Sequence, residues 1–468
     1  DFCIYYLYNY IIICNFIAKW RITMLIEFKT KNFKSFYEEM SFKMKPAPKQ
    51  TGLDYSILTE KIEKKEYKGL STSVIYGPNA SGKTNIIGAM ETLKSIVLRG
   101  NIDNVGYLNT PNVAALNLEL IPNNTVESSP VDFYIKFIES KLLFEYHISM
   151  DLGPFMSNNY KRKILLEDLY INEKLVFHRG DELEIGDLNV IKDYLVNELS
   201  ENINSIITVA KNNLNNLELF LTNGFKNMFS SKVVSILNDW FDKKFIVIYR
   251  ADALQVIDTL ENPNKKTIYI QKTINDAAKM FGITSNGLGY IYPKGKADPK
   301  LVSIFKKKNH RVIPAEIFES YGTVRFVNMF PLIIEAIMNG CTLIVDEFDA
   351  SIHPMALMSI INLFHNNDIN KKNAQLIFDT HNPIFLNSNL FRRDEIKFVE
   401  RSDENHFSIV YSLSDFGTSK DKGVRKHEDY MKNYFINKYG AIKDIDFTSI
   451  FESLLYEQNG VNINENNQ

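Results

Sequence analysis

A phosphate-loop pattern limits the folds open to this chain more than any other feature. Residues 77–84 read GPNASGKT, which matches G-x-x-x-x-G-K-[ST] at every defined position. The preceding residues 71–76 (STSVIY) predict a short strand, and apolar residues recur at helical spacing after Thr84. Strand, glycine-rich loop and helix in this order predict an α/β fold that holds a nucleotide phosphate at the helix N-terminus.

The loop residues have separate expected roles. The glycines let the backbone curl so that successive N–H groups face a β-phosphate. Lys83 is expected to bridge the β- and γ-phosphates, and the Thr84 hydroxyl to ligate Mg²⁺. The sequence therefore predicts ATP and Mg²⁺ as cofactors. The predicted nucleotide-binding residues of the loop are Gly77, Pro78, Asn79, Ala80, Ser81, Gly82, Lys83 and Thr84.

A second apolar strand is followed by two carboxylates. Residues 341–345 (CTLIV) predict a buried parallel strand, and Asp346 and Glu347 come directly after it. The carboxyl ends of such strands are where open α/β sheets bind ligands. We expect Asp346 to hold Mg²⁺ through water and Glu347 to polarise the attacking water as a general base.

Two further segments fit the same site. Residues 373–380 (NAQLIFDT) predict a strand that ends at His381, and an imidazole there is placed to sense a γ-phosphate by hydrogen bonding. Residues 319–323 (ESYGT) precede a helical pattern that Gly340 ends. Ser and Gly before a helix also form an ordinary N-cap, so the functional interpretation of 319–323 depends on its position just upstream of the 341–345 strand.

Together these motifs resemble those of SMC/ABC-like ATPases of the RloA and AbiLi type, which are linked to abortive infection and restriction loci. The resemblance covers most of 24–442 and includes NFKSF at 32–36, DEFDASIHP at 346–354 and THN at 380–382. It implies an α/β fold of the ABC/SMC-like P-loop ATPase class, with a mixed sheet and a helical insertion.

The resemblance also implies a shared site. ESYGT is similar to a reduced form of the ABC signature motif, in which Ser320, Gly322 and Thr323 would close on the γ-phosphate held by a second copy. The expected partner is therefore the chain itself, in an ATP-sandwiched dimer or higher oligomer.

The sequence departs from the family pattern in one respect and offers one further candidate contact. The family pattern has a glutamine between the phosphate loop and the signature, yet no Gln occurs between Thr84 and Gln255. Lys34 stands where DNA-repair relatives place an arginine near the nucleotide, which makes it a candidate contact. A solvated lysine in the first hairpin explains Lys34 equally well.

Composition bounds the function classes. The 468 residues are 45% hydrophobic and carry a net charge of −2, so no global basic field favours nucleic acid as a partner. A local basic cluster over 294–311 is explained more simply as solvated surface, which leaves nucleic-acid binding open. Three cysteines without a C-x-x-C pattern favour neither a disulfide framework nor a zinc site, and suit a reducing cytoplasm.

The chain divides into five predicted segments. The first segment, 1–23, lacks an initiating Met. Its apolar run over 5–18 is shorter than a typical membrane span of about 20 residues, which favours a misassigned extension over a membrane anchor. The segments are a doubtful N-terminal extension (1–23), an N-terminal ATPase lobe with the phosphate loop (24–186), a mainly helical insertion (187–312), a C-terminal ATPase lobe with the signature, the acidic strand and His381 (313–445), and a tail (446–468).

The resemblance implies an ATP-hydrolysing protein that gates a separately encoded nuclease or toxin in defence against phage. No second catalytic constellation stands out in the sequence, which is why the effector is expected to be a different chain. Two alternatives share the nucleotide motifs. One is a DNA-tethering repair ATPase of the RecF type, and the other is a transporter nucleotide-binding subunit, which normally has about half this length and uses the missing Gln.

Overall fold

The computed structural model shows a mixed α/β fold. It describes residues 3–7, 22–48, 50, 52–103, 120–123, 129–155, 160–195, 203–249, 267–280, 282–284, 286–292, 300–305, 311–417, 423–425 and 427–455. The strands are β1 Cys3–Leu7, β2 Met24–Lys31, β3 Met40–Lys43, β4 Ile57–Ile62, β5 Lys65–Leu70, β6 Thr72–Tyr76, β7 Val131–Glu139, β8 Leu142–Asp151, β9 Lys163–Ile171, β10 Lys174–Arg179, β11 Leu183–Ile185, β12 Phe245–Ile248, β13 Thr267–Gln271, β14 Gly287–Ile291, β15 Lys300–Phe305, β16 Arg311–Pro314, β17 Thr342–Val345, β18 Gln375–Asp379, β19 Ile396–Arg401 and β20 Ser408–Ser412.

The α-helices are α1 Lys83–Arg99, α2 Ile203–Asn212, α3 Lys226–Met228, α4 Ser231–Asp239, α5 Lys272–Met280, α6 Ala315–Phe318, α7 Tyr321–Asn339, α8 Pro354–His365 and α9 Tyr430–Phe435. Short 3₁₀ or π segments lie at Asp54–Ser56, Leu188–Tyr194, Leu221–Phe225, Trp240–Lys244, Pro383–Phe385 and Leu413–Phe416. Among the helices in the described ranges, none has the length and apolar character that a membrane span requires.

A six-stranded sheet forms the centre of the molecule. Its order is β12-β17-β18-β6-β19-β20; the first five strands are parallel, and β20 runs antiparallel to β19. Its two ends are called the carboxyl edge and the amino edge. The carboxyl edge is formed by the residues that follow β6, β12, β17 and β18, namely Gly77, Tyr249, Asp346 and Thr380. The amino edge is formed by the residues around the starts of β6, β17, β18 and β19, namely Thr72, Thr342, Gln375 and Ile396.

Both faces of the central sheet are covered, because its strands are apolar on both sides. In β6, Ile75 joins a core that contains α1 and the seven-stranded sheet, whereas Val74 and Tyr76 join a core that contains α7 and α8. Near-continuous apolar runs of this kind are typical of parallel strands buried between two layers. Because these strands are parallel, their carboxyl ends lie at the same edge of the sheet.

Two further sheets flank the centre. A seven-stranded antiparallel sheet, in the order β11-β10-β9-β8-β7-β2-β3, packs against α1. A five-stranded sheet has the order β1-β13-β14-β15-β16, and in it β1 pairs in parallel with β13. Strands β4 and β5 form a separate hairpin. Residues 8–21 of the doubtful extension and 456–468 of the predicted tail lie outside the described residues.

A buried glutamine ties the central sheet to its neighbours at the amino edge. The Gln375 side chain accepts hydrogen bonds from Leu25 N (2.6 Å) and Thr342 Oγ1 (3.1 Å). It donates to Leu25 O (3.1 Å) and Leu70 O (2.8 Å). All four bonds are buried. They hold the start of β18 to β2, β5 and β17 through an amide whose oxygen and nitrogen each form two hydrogen bonds.

The stretch predicted as a mainly helical insertion, 187–312, contains strands as well as helices. Its described residues include α2, α4 and α5, the last with the bounds Lys272–Met280 that helical spacing predicted. They also include β12, which joins the central sheet beside β17, and β13 to β15 of the five-stranded sheet. These strands are only four to six residues long, too short for periodicity to separate strand from helix.

Candidate nucleotide-binding site

The loop between β6 and α1 has the backbone of a close-fitting turn. Ala80 and Gly82 adopt φ values of 63° and 112°, and Gly82 is the N-cap of α1. A Cβ placed on Gly77 would lie 2.4 Å from the carbonyl oxygen of Val399 on β19. Glycine at 77 is therefore required for the loop to pass against the neighbouring strand.

Lys83 lies buried inside this loop. Its ammonium donates to the carbonyl oxygens of Gly77 (2.9 Å) and Pro78 (3.2 Å). Burial lowers the pKa of Lys83, and the carboxylates of Asp379 and Asp346 act in the opposite direction. A buried cation whose hydrogen bonds go to carbonyl oxygens attracts a phosphate strongly, because the phosphate would replace those bonds with stronger charge-assisted ones.

The loop and the acidic strand meet at Thr84. Its hydroxyl donates to Asp346 Oδ1 at 3.2 Å, across 262 residues of sequence. A hydroxyl and a carboxylate at this separation fit Mg²⁺, whose coordination shell in proteins usually also contains several waters and substrate phosphates. Within the described ranges no group of three or more His, Cys, Asp or Glu side chains forms an all-protein metal site. Thr84 and Asp346 would hold the ion, and its charge would offset that of the phosphates.

The two predicted carboxylates lie in different environments. Asp346 is buried, and its N–H donates to Ile248 O on β12 (2.9 Å). Glu347 is exposed and adopts a left-handed backbone with φ of 50°. Its N–H donates to Asp379 Oδ1 at 2.6 Å. Strained non-glycine residues of this kind persist where the surrounding structure holds them, and they cluster at functional sites.

Asp379 belongs to this site, and the sequence analysis passed over it. It ends β18, is almost fully buried and receives the Glu347 N–H. Burial, followed by the nearby charge of Asp346, raises the pKa of Asp379 to about 8. The rule that pointed to Asp346, an acidic residue at the carboxyl end of a buried parallel strand, applies equally to Asp379.

His381 follows two residues later on the same edge. The side chain reaches solvent, yet partial desolvation by the surrounding loop lowers its pKa, and the Lys83 ammonium lowers it further. The imidazole is therefore neutral at physiological pH, with one nitrogen able to donate and the other able to accept.

The predicted signature lies at the start of α7. Ser320 is the exposed N-cap, and its hydroxyl accepts from Thr323 N at 3.2 Å and lies 2.9 Å from Thr323 Oγ1. A Cβ on Gly322 would lie 2.0 Å from the carbonyl oxygen of Ser351. Gly322 is thus needed inside one chain, for close contact with the loop that follows Glu347.

Arg325, one turn further along α7, is a second site residue that the sequence analysis missed. Its side chain is buried, and Nη2 donates to the carbonyl oxygen of Glu347 at 2.5 Å. Nη1 is buried without a hydrogen-bond partner in the described part of the chain. The hydrogen bond from Nη2 to Glu347 O links α7 to the turn that carries Glu347.

The turn at 32–36 lies against the phosphate loop. Ser35 Oγ accepts from Asn85 Nδ2 at 2.8 Å, and a Cβ on Gly82 would lie 2.8 Å from the same oxygen. Lys34, in a left-handed conformation with φ of 50°, donates from Nζ to the Tyr249 hydroxyl at 3.0 Å. The sequence analysis did not single out Tyr249.

These features define a P-loop ATPase fold of the ABC/SMC-like class: a parallel sheet with a phosphate loop after one strand, an acidic pair after a second and a histidine after a third. The chain belongs to the family described as "AAA domain, putative AbiEii toxin, Type IV TA system", whose model matches residues 73–387.

No curated protein matches the chain. It is similar to the SMC head domain from Thermotoga maritima, at 14% identity and a TM-score of 0.32, over 83% of this chain and 98% of that one. It is also similar to an SMC head bound to the C-terminal winged-helix domain of ScpA, at 11% identity and a TM-score of 0.36, over 83% of this chain and 97% of that one. A third similar structure is an SMC head with an extended coiled coil bound to the C-terminal domain of ScpA derived from Pyrococcus furiosus, at 12% identity and a TM-score of 0.35, over 84% and 96%.

Proposed function

We propose that this protein binds and hydrolyses ATP with Mg²⁺ in the cytoplasm, and that its nucleotide state gates a separately encoded nuclease or toxin in defence against phage. One observation carries the ATPase part of the proposal. The phosphate-loop Thr84 and the acidic-strand Asp346 lie 3.2 Å apart, with Lys83 buried beside them, although the sequence separates the two motifs widely.

Each residue at the carboxyl edge has a separate role in the proposed reaction. Lys83 neutralises the β- and γ-phosphates, and Thr84 and Asp346 hold the metal ion. Glu347 accepts a proton from the attacking water, and its backbone is oriented by Asp379 on one side and Arg325 on the other. His381 donates a hydrogen bond to the γ-phosphate from its neutral imidazole.

Self-association completes the site. Ser320 is exposed at the N-terminus of α7, and large apolar side chains of this segment and of the start of α8 are exposed as well: Ile317 (77%), Tyr321 (58%) and Met355 (64%). A second copy that binds over this face would place its Ser320 and Thr323 on the γ-phosphate and cover the apolar side chains. Exposed apolar groups beside a helix N-terminus that attracts anions support this arrangement.

The defence role has two sources of support. The family description names a putative toxin of a toxin–antitoxin system. The ordered motifs also resemble those of ATPases linked to abortive infection. Both concern the setting in which the ATPase acts, and neither identifies the effector.

A complementation experiment tests the shared site. Ser320→Asp keeps an equally good N-cap but adds a carboxylate where the partner's γ-phosphate would bind, so it should block closure and turnover. Mixing it with Lys83→Ala should restore partial turnover, because one site of the mixed dimer has an intact phosphate loop facing an intact Ser320. Ser320→Asn, a neutral cap, is the matched control and should retain more activity than Ser320→Asp.

The outcome depends on subunit exchange, which is verified with differently tagged copies. Mixed dimers that form without recovered activity would contradict the shared site. Substitution of Gly322 is a poor alternative, because any side chain there collides with Ser351 within the same chain.

Gating is tested with the hydrolysis-deficient variant Glu347→Gln. The products of neighbouring genes are co-expressed with it, and their nuclease or toxic activity is measured with ATP and with ADP. A nucleotide-dependent change in effector activity supports gating. DNA binding by the ATPase alone that falls steeply with salt would favour the DNA-tethering alternative instead.

A further inference from the structure

Tyr249 emerges at the carboxyl edge beside the predicted metal ligand. It directly follows β12, which is parallel to β17 and pairs Ile248 with Val345. The Asp346 N–H donates to Ile248 O at 2.9 Å, so the two strands end at the same level. Tyr249 and Asp346 are therefore equivalent positions on adjacent strands of the ligand-binding edge.

The Tyr249 ring packs against the phosphate-loop helix at a glycine. A Cβ on Gly88 would lie 3.0 Å from both Cε2 and Cζ of Tyr249. Glycine is unfavourable inside a helix, and here it makes room for the ring. Gly88 lies four residues after Thr84, on the same face of α1, so the ring lies one helical turn from the predicted metal ligand.

Tyr249 also holds Lys34. The ammonium donates to the phenol oxygen at 3.0 Å and lies 5.4 Å from the Tyr249 ring centroid and 5.3 Å from that of Phe33. The backbone of Lys34 is left-handed, and its carbonyl accepts from Asn123 Nδ2 at 2.7 Å. The 32–36 turn that carries Lys34 contacts the phosphate loop through Ser35, so this turn lies against the nucleotide site.

We propose that Tyr249 is a positioning residue for ATP binding, which acts by holding the Lys34 ammonium against the nucleotide phosphates. The phenol oxygen accepts a hydrogen bond from the ammonium and so restrains a long, flexible side chain. This inference rests on the proposed function, since it takes ATP as the ligand. It predicts that Tyr249 affects nucleotide affinity through Lys34 and has little effect on the chemical step.

A double-mutant cycle tests the coupling. ATP binding is measured by calorimetry with Mg²⁺, and KM and kcat are measured separately, for wild type, Tyr249→Phe, Tyr249→Ala, Lys34→Met and Lys34→Met/Tyr249→Phe. We expect Lys34→Met to raise KM about tenfold, Tyr249→Ala about fivefold and Tyr249→Phe about twofold to threefold, with kcat changed less than twofold. In the Lys34→Met background, Tyr249→Phe should add nothing.

Tyr134→Phe is the matched control. Tyr134 is a half-buried tyrosine of the seven-stranded sheet whose hydroxyl donates to Glu145 Oε2 at 2.6 Å, so its loss removes a similar bond away from the nucleotide. It should leave KM unchanged.

Each result decides between readings. Additive effects on KM in the double variant, or a loss of thermal stability with unchanged KM, would overturn the inference and make Tyr249 a packing residue only. Wild-type protein that binds ATP with the same affinity as Tyr249→Ala and Tyr249→Phe overturns this inference alone. Wild-type protein that does not bind ATP overturns the proposed function and this inference together.

Discussion

The two edges of the central sheet are formed by the same strands but hold their polar groups in different ways. At the carboxyl edge, three non-glycine residues, Ala80, Glu347 and Ser351, adopt left-handed φ values of 63°, 50° and 64°. At the amino edge, titratable side chains are buried and bonded to one another. Two of them, His365 and Glu395, are at most 4% exposed.

The contacts at the amino edge form one network. Glu395 accepts at Oε1 from Thr72 Oγ1 (2.7 Å) and lies 3.2 Å from His365 Nε2. Its Oε2 accepts from Arg392 N at 2.8 Å. The Arg392 guanidinium in turn donates to both oxygens of Asp394 at 2.9 Å each, a planar two-point pairing.

The two edges therefore differ in what their polar groups do. At the carboxyl edge, Lys83 and Thr84 are bonded to protein groups that a phosphate or a metal ion would replace, and Glu347 is exposed. The hydrogen bonds of Glu395 at the amino edge hold the start of β6, at Thr72, to the residues that precede β19. A substitution at the first edge should therefore change activity and leave stability largely intact, and a substitution at the second should do the reverse.

The largest expected effect is that of Lys83→Ala at the carboxyl edge. It removes the ammonium that neutralises the β- and γ-phosphates, so ATP binding or turnover should be abolished. Calorimetry with ATP and a phosphate-release assay measure the two quantities. Thermal unfolding serves as the control and should show a folded protein, while wild-type turnover in this variant would contradict the site.

Glu347→Gln should separate binding from hydrolysis. Gln keeps the shape and hydrogen-bonding capacity of Glu but cannot accept the proton, so hydrolysis should fall by a factor on the order of 10² to 10⁴ while ATP still binds. Size exclusion should show ATP-bound oligomer accumulating. Unchanged turnover would mean that a different residue positions the water.

At the amino edge, Glu395→Ala should lower the free energy of unfolding by about 3–5 kcal/mol. It leaves Thr72, His365 and the Arg392 N–H without their shared acceptor in a dry environment. Urea denaturation measures the loss. The folded fraction should keep the wild-type KM for ATP, and a changed KM with unchanged stability would break the division between the edges.

Local sequence was sufficient for one part of this site and insufficient for another. The phosphate loop, Asp346, Glu347 and His381 could be predicted because each follows a strand within its own motif, and parallel strands end together. Tyr249 lies 215 residues from Lys34, its hydrogen-bond partner. Arg325 is 22 residues from the carbonyl that it contacts. Such pairs form only through tertiary packing, which no local pattern encodes. The same holds for β12, whose four residues form an edge strand of the central sheet by pairing with β17.

The smallest expected effect concerns a buried lysine near the amino edge. Lys397, in β19, donates from Nζ to Asp394 O at 2.7 Å. Burial lowers its pKa to about 8, against the opposing effect of Asp394, Asp415 and Glu395. An unfolded lysine has a pKa near 10.4, so between about pH 8 and pH 10.4 the unfolded chain binds more protons at this site than the folded protein.

The sign of the resulting pH dependence follows from that difference. Stability rises with pH wherever the unfolded state binds more protons, so the cost of burying the Lys397 ammonium is full below pH 8 and disappears as the pH rises to about 10.4. Lys397→Met lacks this titration. The stability of wild type relative to Lys397→Met should therefore increase by about 2–3 kcal/mol between pH 7.5 and pH 10.5, measured by urea denaturation at several pH values. Lys371→Met, at an exposed lysine in the loop before β18, is the control, and its difference from wild type should stay constant. A constant difference for Lys397→Met as well would contradict this prediction. It would mean that the pKa of Lys397 is the same in the folded and the unfolded protein, because Asp394, Asp415 and Glu395 fully offset the effect of burial.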